Sequence, residues 1–197
     1  KFVINIIIMK SIDFYYDYGS PTAYLAWTQI KNLSTQSYKV SYFPILLGGV
    51  FKATDNKAPG LVIPKAKWMS EDIKMYAEKY NVKFSMNDAF PINTLYLMRG
   101  AIYAKKNNLL ENYNEAIFTA IWANNVNLSE PNNIISTLKN NGLNSSDFLE
   151  STENQEIKDE LKKVTADAVT LGMFGVPSFI VNGKLFFGQD RMSWFLD

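Results

Sequence analysis

The chain has 197 residues, 47% hydrophobic and 14% aromatic, enough for a packed core in one large domain or two small ones. Lys+Arg 20 against Asp+Glu 19 leaves a net charge of +1, and no basic stripe stands out to suit nucleic acid. Cysteine and histidine are both absent, which excludes a cysteine nucleophile, a protein disulfide, a Ser-His-Asp triad and Cys/His zinc sites.

Acid–base work must then fall to Asp, Glu, Lys, Tyr or a bound cofactor. The chain opens with an apolar patch over 2–8, too short to span a bilayer and followed by no small-residue cleavage site. The expectation is a soluble, cytoplasmic protein without a membrane segment, with Met9 as its natural start.

Residues 12–18 are β-rich and stop at Gly19, which predicts a buried strand. Ser20 then fits an N-cap and Pro21 the first helical position, with the helix continuing over 23–33. After the polar residues 34–38, a second strand is predicted over 40–47. Strand, helix and strand at this spacing make a right-handed βαβ unit with parallel strands. Residues 48–64 read as irregular, because Gly48-Gly49, Pro59-Gly60 and Pro64 punctuate them.

Helices are predicted over 66–80, 93–106 and 110–124, and from Ser129-Glu130-Pro131 to Asn141-Gly142. A short helix capped by Ser145-Ser146-Asp147 and a long one over 155–171, ended by Gly172, follow. Two apolar runs, 178–181 and 184–187, flank Asn182-Gly183, the strongest short-range hairpin signal there is. Asp190 is expected to cap a last helix.

Two strands at each end cannot make a stable sheet alone. They are expected to join into one four-stranded mixed sheet, built from 9–50 and 173–197, with part of 155–172 packed on it. Residues 65–165 would form an all-helical insertion. The fold class is α/β, thioredoxin-like.

Ser20 sits where a helix N-terminus offers free N–H groups and partial positive charge, which stabilise an anion such as a thiolate. The plain alternative is an ordinary Ser-Pro cap. Val176-Pro177 precedes a strand; a cis bond there would turn the Val176 backbone toward Ser20, whereas most X–Pro bonds are trans. Asp190-Arg191 reads as a cap, or as a carboxylate and a guanidinium for a ligand's ammonium and carboxylate. Asn56-Lys57 reads as a surface loop, or as an amide and a charge for the same ligand. Trp68 and Asn93 are the candidates for a second substrate. Trp68, Tyr76 and Tyr80 at helical spacing also read as core, and Asn93 as a helix cap. Gly48-Gly49 lacks the Lys and Ser/Thr of a phosphate loop.

Three segments, DFYYDYGSPTAYLAW, LLGGVFKATDNKAPG and FGVPSFIVNGKLFFGQDRM, carry a resemblance that runs from Ile12 to the end. The chain resembles the 2-hydroxychromene-2-carboxylate isomerase and kappa-class glutathione transferase family, a cysteine-poor branch of the DsbA-like thioredoxins. Redox-active relatives have Cys-x-x-Cys where this chain has Ser20-Pro21-Thr22-Ala23. The resemblance implies glutathione as cofactor, a small-molecule substrate and a homodimer. It implies that Ser20 hydrogen-bonds the glutathione sulfur and that Val176, before a cis Pro177, pairs with the cysteinyl part. Asp190 and Arg191 would hold the γ-glutamyl end, and Asn56 with Lys57 would contact the ligand from the loop.

The implied activity is isomerisation of an aromatic or unsaturated acid through a serine-stabilised glutathione thiolate. A kappa-type transferase and a redox-silent binding protein are the alternatives. Two features depart from the isomerase pattern. Phe90-Pro91-Ile92-Asn93-Thr94 stands where some isomerases carry basic residues, with Arg99 further along, and the NKAPG segment is nearer the transferases.

Overall fold

Strands β1 (Lys10–Tyr16), β2 (Tyr38–Pro44), β3 (Ser178–Val181) and β4 (Lys184–Phe187) form one mixed sheet in the order β2-β1-β3-β4. The computed structural model describes residues 9–33 and 38–196; the apolar patch over 2–8 and most of the polar link after the first helix lie outside them. β1 pairs parallel with β2 and antiparallel with β3, and β3 pairs antiparallel with β4. The parallel pair is closed by α1 (Pro21–Ile30), as the βαβ reading requires. At the other end, Asn182 (φ 51) and Gly183 (φ 74) take the two left-handed positions of the hairpin turn.

β1 is the central strand, and its alternation assigns each side chain to one layer. Ile12, Phe14 and Tyr16 belong to the large core cluster, whereas Tyr15 belongs to a smaller one. The large cluster spans α1 and the helices that follow: α3 (Ile63–Lys79), α4 (Leu95–Lys106), α5 (Leu110–Phe118), α6 (Pro131–Asn140) and α7 (Ser145–Glu153). The rings of Phe14 and Phe179 stack across neighbouring strands with centroids 5.3 Å apart. On the opposite face, Tyr15 packs with Ile45, Val50, Met173 and Val176, and with Ala168 of α8 (Gln155–Thr170). No helix among the described residues is long and apolar enough to cross a membrane.

Residues read as irregular contain a helix, α2 (Leu47–Thr54). Gly48-Gly49 sits inside it: Gly49 meets α8 so closely that a Cβ would lie 3.1 Å from Thr165 Cγ2. The glycine is there for helix packing, and in isolation it looks like a breaker. Leu47 therefore opens this helix and is not strand. Asp190 caps nothing: the last helix is a 3-10 segment, Gln189–Trp194, preceded by Gly188 and without a side-chain cap. α7 is capped by Asn144, whose Oδ1 accepts from Ser146 N at 3.1 Å, and not by the serines that follow. The helix expected over 110–124 ends as a π turn, Thr119–Ala123.

Candidate active site

β1 runs directly into the turn Asp17-Tyr18-Gly19-Ser20. The buried Asp17 carboxylate accepts from Gly19 N and Leu47 N, each at 2.8 Å, and so ties the turn to the start of α2. Burial raises its pKa even though these bonds and one to the Thr94 side chain oppose the shift. Gly19 leaves little room: a Cβ would lie 3.2 Å from Thr94 Cγ2 and 3.4 Å from Asp17 Oδ1. Ser20 is the N-cap of α1, its Oγ accepting from Ala23 N at 3.1 Å, and Pro21 takes the first helical position. The same Oγ lies 3.0 Å from Thr22 Oγ1 and donates a long bond, 3.4 Å, to Val176 O. A hydroxyl has one proton, so this donor can turn to a ligand instead.

The Val176–Pro177 bond is cis, and Pro177 O accepts from Gly188 N at 2.9 Å. A cleft of about 680 Å³ opens beside it, walled by Thr22, Phe51, Met69, Phe174, Val176 and Pro177. Asp55 (φ 55) ends α2 in a left-handed turn that delivers Asn56 and Lys57 to the rim. Asn56 Nδ2 donates to Phe174 O and its Oδ1 accepts from Lys57 N, both at 2.8 Å, so the loop is latched across the cleft. Lys57 and Lys65 both line the cleft, and neither makes an ion pair among the described residues. Apolar walls, a backbone edge and two lysines against the single carboxylate of Asp55 suit an anionic peptide-like ligand. No group of three or more acidic side chains among the described residues is placed to hold a metal.

The structure thus brings Val176, Pro177, Asn56 and Lys57 to one cleft, with Ser20 just beneath it between Thr22 and Val176. Gly188 also lines this cleft, but Asp190 and Arg191 do not. Their side chains approach to 3.4 Å, and the Asp190 charge acts on Asp72 and Tyr76 of α3. Burial, then the Tyr76 and Asp190 charges, pushes the Tyr80 pKa up to about 12. Burial, then Asp190, also raises Asp72. Trp68 is not core: it is 64% exposed and lines no part of the cleft, because it lies on the outer side of α3. Asn93 is also elsewhere. It accepts from Leu95 N at 3.1 Å and lines a cavity of about 280 Å³ inside the helical lobe.

Thr22, Phe51, Lys65, Met69 and Phe174 line the cleft without having been singled out from the sequence. For Phe51 a signal existed, since Leu47 and Phe51 are four apart on one face of α2, but the glycine pair hid the helix.

The model of the DSBA-like thioredoxin domain matches residues 11–197. The 2-hydroxychromene-2-carboxylate isomerase of Sphingobium xenophagum is 28% identical over 188 residues, 94% of this chain and 95% of that protein. Human glutathione S-transferase kappa 1 is 25% identical over 202 residues, 93% of this chain and 88% of that protein. A solved 2-hydroxychromene-2-carboxylate isomerase superposes with a TM-score of 0.85 at 20% identity, covering 93% of this chain and 91% of its own, a likeness of fold. The four-stranded mixed sheet agrees with that match, and the chain belongs to the DSBA-like thioredoxin domain family.

Proposed function

We propose that this protein is a glutathione-dependent isomerase of the 2-hydroxychromene-2-carboxylate type, acting on an aromatic or unsaturated small-molecule acid. The observation that carries the reading is the Ser20 hydroxyl at the N-terminus of α1, bonded to Val176 O beside an apolar cleft in a chain without cysteine or histidine. Both kinds of relative that match nearly the whole chain are enzymes, an isomerase and transferases of the kappa class.

Glutathione, when bound, would supply the thiol that the chain lacks. The cleft fits such a ligand: unpaired Lys57 and Lys65 match its carboxylates, and the Val176 backbone offers a peptide edge. The first-turn amides of α1 favour a thiolate over a thiol, and Ser20 Oγ–H can donate to it once turned from Val176 O. Asn56 holds the loop, while Asp190 and Arg191 would engage the far end of the tripeptide from beyond Gly188. Phe51, Met69 and Phe174 would hold the apolar part of the second substrate. Orientation and charge stabilisation of this kind need no histidine.

The test is calorimetric binding of glutathione to the intact protein and to Ser20→Ala, with the bound thiol titrated by thiolate absorbance. Turnover of a chromene carboxylate is followed alongside. We expect binding, a lowered thiol pKa, and a loss of kcat of roughly 10²-fold in Ser20→Ala. Absence of glutathione binding overturns the reading. Consumption of glutathione with each turnover would instead make the protein a transferase, the reading the NKAPG segment favours.

A further inference from the structure

A second cleft lies across α2 from the first. It is about 680 Å³ in volume and sits between α2, the start of α4 and one face of α8. That face carries Lys158, Leu161, Lys162, Thr165, Ala166 and Val169, the three-and-four spacing of a single helical stripe. The helix's acidic residues, Glu156, Asp159, Glu160 and Asp167, fall outside it. The stripe is also sorted along its length. The lysines occupy the N-terminal half, where Arg99 of α4 joins them, and small or apolar residues occupy the half facing Leu46 and Gly49.

Charge at the polar end is incompletely matched. Lys158 pairs with Glu153 at 2.8 Å and Lys162 with Asp159 at 3.4 Å. Arg99 has no carboxylate at ion-pair distance among the described residues. One of its terminal nitrogens donates to Thr152 O at 3.0 Å, and its Nε is buried without a partner. Glu153 feels the Arg99 charge as well as that of Lys158, so three cations share two neighbouring carboxylates and the polar end keeps one positive charge in excess. From Lys162 to Val169 is about 10 Å along the helix at 1.5 Å per residue, the reach of a medium-length alkyl chain.

We propose that this cleft binds a small single-chain amphipathic carboxylate of the medium-chain fatty-acid class. Its head group lies against Arg99, Lys158 and Lys162. Its chain covers Leu46, Leu161 and Val169. The site is separate from the Ser20 cleft and holds its ligand whether or not glutathione binds.

Calorimetry on the full chain tests this with octanoate, decanoate, decanol and decyltrimethylammonium, each below its micelle concentration. Decanoate should bind at one site per chain, about tenfold tighter than octanoate for its two extra methylenes. Decanol should bind about tenfold more weakly and the cation not at all. Arg99→Gln and Lys162→Glu should each weaken decanoate by about tenfold. Lys162 is an exposed side chain, so its variant should keep the melting temperature and guard against a folding defect in the other. Ser20→Ala should leave decanoate binding unchanged. Equal affinity for decanol and decanoate overturns the proposal, as does competition between decanoate and glutathione. It also falls if decanoate fails to bind, and a changed sedimentation coefficient in Lys162→Glu would then make the cleft a surface for a second copy.

Discussion

Asp17 is three residues before Ser20 and is the node on which the candidate site is hung. Its two backbone bonds join the turn of Ser20 to the helix that walls the cleft. Asparagine in its place keeps one acceptor but presents N–H to N–H at the other, which costs about 1–3 kcal/mol. The pH dependence has a definite sign. Burial raises the folded pKa of Asp17 above the ordinary 3.8, so its contribution to stability is fully present below 3.8 and is lost as pH rises through the raised value. Asp17→Asn should therefore be most destabilised relative to the intact protein at acid pH, and the gap should narrow toward neutrality. Urea unfolding of the two proteins across that range measures it; a gap that widens with pH contradicts the assignment.

Among the elements, α4 and α5 meet where Gly100 faces Tyr113. A Cβ at Gly100 would collide with the Tyr113 hydroxyl, which is buried and donates to Leu97 O at 3.0 Å. In an exposed helix, glycine to alanine gains about 1 kcal/mol. Here the sign should invert, with Gly100→Ala costing about 1–3 kcal/mol through overpacking. Denaturant midpoints decide it, and a stabilised variant would show that the helices can move apart. The elements also differ in how far they could be read from sequence. β3, β4 and their turn follow from two apolar runs flanking Asn182-Gly183, and their limits were legible to the residue. α2 was not, because Gly48-Gly49 is a breaker locally and a packing contact globally. The π turn over Thr119–Ala123 was hidden too, since periodicity alone does not distinguish it from the helix it continues.

Across the whole molecule, one core cluster joins the sheet, α1 and the helical lobe. Trp122 illustrates the joint: it is fully buried in the lobe and its Nε1 donates to Tyr18 O at 2.8 Å, in the turn that follows β1. Removing that donor by Trp122→Phe leaves a buried carbonyl unpaired, at a cost of about 1–3 kcal/mol. The loss should lower a single unfolding transition seen alike by far-UV and near-UV circular dichroism. Two separated transitions would mean that lobe and sheet unfold independently.

What the sequence determined by itself was the inventory of chemistry and most of the elements. Zero cysteine and histidine removed whole reaction classes, and Ser20-Pro21, Val176-Pro177 and the hairpin marked a thioredoxin-type arrangement. These are properties of residue identity or of neighbours within a turn, which one strand of text records. The tertiary structure decided which of the named residues share a cleft. It set Ser20 beside Val176 across 156 positions and latched Asn56 to Phe174 across 118. It left Trp68 on the surface and set the exposed Asn93 at a cavity among the helices, away from the Ser20 cleft, and it collected Arg99, Lys158 and Lys162 at one end of a second cleft. Such meetings depend on the path of the backbone and the packing of layers, and no local periodicity encodes them.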